Sequence, residues 1–98
     1  MKVKLANKPH ARIKGLLGTA QQELNFDALH IVPCRGVHTF GMKYSLDLAF
    51  LDGQNRVIAC KYAVLPNRIC LSPNGTRSVL ERPASSCPWL KQGDHLSV

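Results

Sequence analysis

The tetrapeptide Asp52-Gly53-Gln54-Asn55 stands between two runs of alternating apolar residues, and it constrains the fold more than any other stretch. Asp-Gly in that setting marks a β-hairpin, because both residues accept the backbone angles a tight reversal needs. Side chains alternate across a strand. In the run before the turn, Tyr44 to Leu51, Leu46, Leu48 and Phe50 share one face. In the run after it, Arg56 to Leu65, one face carries Ile58, Cys60, Tyr62 and Val64, and the other carries Val57, Ala59, Lys61 and Ala63. Ala49, Leu51, Val57 and Ala59 make the second face partly apolar as well, so this hairpin is expected at the centre of the fold, covered on both sides.

The flanking sequence supplies shorter elements. Lys2-Val3-Lys4-Leu5 alternates charge and apolar side chains and reads as an edge strand guarded by lysines. Pro9 suits a first helical turn and Gly18 a helix stop. Ile13, Leu16 and Leu17 fall at i, i+3, i+4 between them, so a short helix is expected to end near Leu17. Ala28 to Val32, Val37 to Met42, Ile69 to Leu71, Arg77 to Arg82 and Leu96 to Val98 read as further strands. Ser85 to Gly93 has a capping serine, Pro88 and a terminal glycine, and reads as one helical turn carrying Trp89 as a lid. The expected fold is mainly β: a compact barrel or sandwich of about six or seven short strands with two short peripheral helices.

The chain has 98 residues, so a single domain over 1–98 is expected, and it can bury roughly 60–65% of its unfolded surface. It needs no staple at that size. No stretch reaches the roughly 18–20 apolar residues of a membrane helix. Charged residues at Lys2 and Lys4 are followed by no apolar leader segment, so a cytoplasmic chain is expected. Cys34, Cys60, Cys70 and Cys87 lack Cys-x-x-Cys spacing, which argues against a zinc knuckle or a thioredoxin-type site. Four cysteines permit three disulfide pairings; in the cytosol free thiols are expected. Cys60 reads as buried. Cys34, beside Arg35, is the candidate for a reactive thiolate.

The net charge is +7 and the pI about 9.6. That meets the first requirement for nucleic-acid binding. Lys2, Lys4, Lys8, Arg12 and Lys14 load the first segment, but the remaining cations are dispersed and no recognition motif accompanies them. A solvated basic surface is the simpler reading.

The run Ala28-Leu29-His30-Ile31-Val32-Pro33-Cys34-Arg35-Gly36-Val37-His38-Thr39-Phe40-Gly41-Met42, followed by Leu46-Asp47-Leu48-Ala49-Phe50-Leu51-Asp52, resembles the family catalogued as domain of unknown function 192. Arg12-Ile13-Lys14-Gly15-Leu16-Leu17-Gly18 looks like that family's opening segment. Ser78-Val79-Leu80-Glu81 and Leu90 to Leu96 look like its closing segments. One departure stands at Arg82-Pro83-Ala84-Ser85-Ser86, where relatives often carry Ala-Gly. The resemblance implies a small β fold and no established activity. Many relatives carry export signals, and some resemble proteins encoded near pilus or secretion machinery, which implies an accessory association of that kind.

Five residues form the candidate binding site: Arg12, His38, Phe40, Met42 and Asp47. Alternation puts His38, Phe40 and Met42 on one face, with His38 at the rim of the core they enter. Asp47 interrupts an apolar strand. It caps the turn at Lys43-Tyr44-Ser45, pairs with Arg12, or serves function. His38 and Asp47 together can form a general acid–base pair, which defines the alternative reading as a small hydrolase or lyase. Ser45, Thr39 and Cys34 lie nearby in sequence, but no nucleophile motif surrounds them. Cys34, His38, His30 and Asp47 are scattered by strand alternation, so no metal site is indicated. No cofactor motif is present: Gly15 and Gly18 do not make a phosphate loop. The leading expectation is a non-enzymatic binding or accessory module for a protein partner or small ligand, with nucleic-acid binding through the first segment as the second alternative.

Overall fold

The computed structural model describes residues 3–6, 28–32, 36–39 and 42–96. These residues form seven strands: β1 (Val3–Ala6), β2 (Ala28–Ile31), β3 (Gly36–His38), β4 (Leu46–Leu51), β5 (Val57–Val64), β6 (Ile69–Leu71) and β7 (Ser78–Pro83). Five make one sheet in the order β1-β2-β7-β4-β5, and β3 pairs with β6 in a separate ribbon. The β1–β2 pair is parallel and all others are antiparallel. The fold is therefore mainly β, and the described strands do not close into a barrel. The helix expected near Pro9 to Leu17 lies outside the described residues.

Strand β4 is buried along its whole length, as expected of a strand covered on both sides. Leu46, Leu48 and Phe50 enter one core cluster with Leu29, Ile31, Val37, Cys70 and Val79. Ala49 and Leu51 enter a second cluster, on the opposite face, with Ala28, Val57, Leu80 and Leu96. The β3–β6 ribbon covers the first face by sending Val37 and Cys70 into it. Residues 84–96 cover the second face, where Trp89 and Leu90 pack.

The hairpin forms where Asp52-Gly53 predicts it, with different internal chemistry. The Asp52 N–H donates to the Arg56 carbonyl (3.0 Å), and Asp52 Oδ1 accepts from the N–H groups of Gln54 (2.8 Å) and Arg56 (3.0 Å). Those donors, that of Arg56 first, hold the Asp52 carboxyl below its ordinary range. Asn55, not Gly53, takes the left-handed conformation (φ 60°). Asn accepts that region because its short polar side chain bonds locally.

Strict alternation fails along β5. The β4–β5 register shifts between Phe50 and Leu51, and again between Leu46 and Leu48. Val57 and Cys60 consequently meet the second cluster, whereas Ala59 and Val64 meet the first. The second irregularity includes Ala63, a non-glycine residue at φ 53°. An L-residue there costs roughly 1–2 kcal/mol in steric strain.

The helical turn expected over Ser85 to Gly93 is not present; the segment runs as bends and turns. Tertiary partners take the groups a helix would use. Arg82 Nη2 donates to the Cys87 carbonyl (2.8 Å), and the Leu90 carbonyl accepts from the Tyr62 hydroxyl (2.8 Å) and from Cys60 Sγ (3.3 Å). Gly93 (φ 93°) sits in a Lys91–Asp94 turn, where its N–H reaches the Val57 carbonyl (2.9 Å). Arg56 and His95 form an isolated bridge; of the strand expected over Leu96 to Val98, residues 97–98 lie outside the described set.

Candidate functional site

Asp47 is the most deeply placed of the predicted site residues that are described. It lies on the second face of β4, directly across from Arg82 of β7. Asp47 Oδ2 accepts from Arg82 Nε at 2.8 Å, and the two side chains are 2% and 12% exposed. The Ser85 N–H also donates to Oδ2 (3.3 Å), and the Ala63 N–H donates to Oδ1 (2.9 Å). The carboxylate thus ties the irregular end of β5, strand β7 and the start of the covering segment together. It does not cap the Lys43-Tyr44-Ser45 turn. The Ala84 N–H bonds the Ser45 carbonyl (2.9 Å) beside it. The Arg82 guanidinium lies 4.7 Å from the centroid of the Trp89 ring, so the same arginine holds the indole over the second core cluster.

His38 is exposed, opposite Ile69 on the outer side of the ribbon. This reverses the expected facing. Val37 and Thr39 point inward, and β3 ends at His38. The Thr39 carbonyl accepts from the Met42 N–H (3.2 Å), and Met42 packs against the first core cluster. Met42 and Asp47 consequently serve opposite faces of the sheet, and His38 points away from both. Arg12 and Phe40 lie outside the described residues. The structure therefore does not assemble His38 and Asp47 as an acid–base pair: one is exposed on the ribbon, and the other has both oxygens bonded beneath residues 84–96.

Thr39, a nearby hydroxyl in sequence, is fully buried. Its Oγ1 donates to the Leu65 carbonyl (2.8 Å) and accepts from the Arg68 N–H (2.8 Å), while its own N–H and carbonyl bond Arg68 and Asn67. This side chain locks the β5–β6 turn to β3 and is spent on doing so. Cys60, Cys70 and Cys87 are free thiols. Burial pushes the Cys60 thiol up, away from a reactive thiolate. Cys34 lies outside the described residues. No group of three or more His, Cys, Asp or Glu side chains among the described residues is arranged to hold a metal.

Two buried polar residues carry weight that sequence reading did not assign them. His30 is 4% exposed, with Nε2 at 2.9 Å from Ser78 Oγ. Glu81 is 3% exposed on β7, flanked in register by Leu29 and Leu48. Burial, with a smaller contribution from Glu81, pushes the Tyr44 phenol up. The signal for both was present: alternation against Leu29 and Ile31 puts His30 on the second face, and alternation with Val79 puts Glu81 on the first.

Burial also lowers the His30 pKa below 6.5. The unfolded chain then binds a proton more readily than the folded one. Stability from this residue is complete above about pH 6.5 and declines as pH falls from there toward the folded-state value. Thermal melts from pH 7.5 to 5 are expected to show a loss that His30→Gln lacks. Parallel profiles for the two proteins would contradict the assignment.

Described residues form a concavity of about 340 Å³ lined by Ser72, Pro73, Asn74, Gly75, Thr76 and Arg77, none of them a predicted site residue. It is the hollow of a single loop, closed by Thr76 Oγ1 donating to the Pro73 carbonyl (2.7 Å). No helix among the described residues is long and apolar enough to cross a membrane.

The fold has a solved counterpart. A protein of unknown function from Novosphingobium aromaticivorans DSM 12444 superposes with a TM-score of 0.66 at 19% identity, over 84% of this chain. The chain spans 62% of the length of that protein. No curated protein matches the chain. The family model described as uncharacterised ACR, domain of unknown function 192, matches residues 1–98. The match covers the whole chain, and the chain belongs to the domain of unknown function 192 family.

Proposed function

We propose that this protein is a non-enzymatic binding module, and that it docks its partner on the outer face of the β3–β6 ribbon. One observation carries the reading. The buried Asp47, His30 and Thr39 side chains are bonded within the fold, whereas Ile69 and Leu71 stand 68% and 80% exposed on one face of a strand. His38 shares that face across the ribbon, and Leu65 in the preceding turn is 54% exposed. Large apolar side chains grouped on one surface mark interaction sites more often than isolated ones do. The face retains His38 from the predicted site and leaves Asp47 and Met42 to the fold.

Cross-linking in lysate of the source cell tests this with wild type beside Ile69→Ser/Leu71→Ser. Both substituted positions are exposed, so the variant is expected to melt within about 0.5 kcal/mol of wild type. A partner captured by wild type is expected to be lost from the variant. Identical capture by the two proteins would remove this face from the account.

A further inference from the structure

The charge around the ribbon narrows what docks there. Of the exposed cations, Arg56 and Arg77 lie at the β4–β5 turn, whereas Arg68 adjoins the ribbon. Of the described acids, Asp47 and Glu81 are buried. The other two lie at the β4–β5 end of the sheet: Asp52 in the turn itself accepts from Gln54 and Arg56, and Asp94, in the Lys91–Asp94 turn, has its carbonyl accept from the Val57 N–H at the start of β5. The β4–β5 turn is one β5 length, about 25 Å, from the Leu65–Arg68 turn. Arg68 is exposed and immediately precedes Ile69, and neither strand of the ribbon contains a carboxylate. Among the described residues, the apolar face therefore has the Arg68 cation at its border and no carboxylate in its two strands.

We propose that the ribbon accepts an extended acidic segment of a partner protein, with apolar side chains seated on Ile69 and Leu71 and a carboxylate on Arg68. This rests on the docking reading above and supplies the chemistry of the partner. A second copy of this chain fits poorly, because the net charge of +7 opposes self-association. A lipid surface offers no backbone to pair. Among the described residues, β6 is an edge of the ribbon, and a strand edge provides hydrogen bonds to an extended peptide. Alternate side chains of such a peptide face the same way, matching the spacing of Ile69 and Leu71.

Selection from a phage library of short random peptides tests the proposal, with wild type as bait and Ile69→Ser/Leu71→Ser for counter-selection. Enriched peptides are expected to carry apolar residues two apart and a net negative charge. A synthetic representative is expected to bind Arg68→Glu about tenfold more weakly, and to weaken with added salt. Enriched peptides that are neutral or basic would overturn the acidic partner while leaving the docking face in place. No enrichment over the counter-selected variant would overturn both. Binding of wild type, but not the variant, to phosphatidylserine vesicles with no peptide enriched would assign the face to a lipid surface and overturn the proposal.

Discussion

Asp47→Ala is expected to cost about 3–5 kcal/mol of folding stability, the range for breaking a buried ion pair from one side. The carboxylate answers three donors, Arg82 Nε, the Ala63 N–H and the Ser85 N–H, and alanine answers none of them. Arg82 is left with its charge largely out of water. Ala63 loses the bond that holds its left-handed backbone in place. Domains of this size have total stabilities of roughly 5–15 kcal/mol, so the loss is a large fraction of the whole. A melting temperature lower by about 20 °C is the expected reading by circular dichroism. Asp47→Leu/Arg82→Leu is expected to recover part of the loss, because two apolar side chains leave no uncompensated charge. Recovery stays incomplete, since the Ala63 and Ser85 N–H groups still lack their acceptor. An Asp47→Ala protein that melts within about 2 °C of wild type, well under 1 kcal/mol at this size, would contradict the structural role assigned to the carboxylate.

Phe50→Ala is expected to cost a comparable 3–5 kcal/mol through a different mechanism. Phe50 is fully buried on β4, paired with Val79 of β7 on one side and Ala59 of β5 on the other. Neighbouring strands hold their spacing through the backbone ladder, so the walls of the cavity left by the ring have little room to close. Urea titration is expected to show a lower midpoint at unchanged slope, the signature of lost stability without a change in the unfolded ensemble. Tyr62→Ala provides contrast on the neighbouring strand, because Tyr62 is 57% exposed and gives up one bond to the Leu90 carbonyl. Equal costs for the two substitutions would contradict the placement of the core on β4.

The hairpin and the two-sided burial of β4 were legible because local chemistry decides both. Asp52 and Asn55 form their turn from neighbouring backbone groups, and β4 carries apolar residues on both faces, Leu46, Leu48 and Phe50 on one and Ala49 and Leu51 on the other. The facing of β5 was not legible, because its irregularity falls on Ala63, a residue with no turn preference held by a carboxylate sixteen positions away. Pro88 and Gly93 gave residues 85–93 a local helix signature, and contacts with β5 and Arg82 override it. Asp47 was visible as a polar break in an apolar strand. Its partner was not, because Arg82 comes opposite only when β7 lies beside β4. His38 was misplaced for a related reason: the alternation argument carried a strand through to Met42, whereas β3 ends at His38 and turns Val37 and Thr39 toward the core.

The central claim is that the buried polar residues hold the fold while the exposed ribbon makes the contact. Capture by cross-linking, run in parallel on wild type, Asp47→Leu/Arg82→Leu and Ile69→Ser/Leu71→Ser at a temperature where all three are folded, tests it most directly. The account predicts that the Asp47/Arg82 variant retains the wild-type partner and the ribbon variant loses it. The opposite pattern, with capture lost on replacing Asp47 and Arg82 and kept without Ile69 and Leu71, would contradict it.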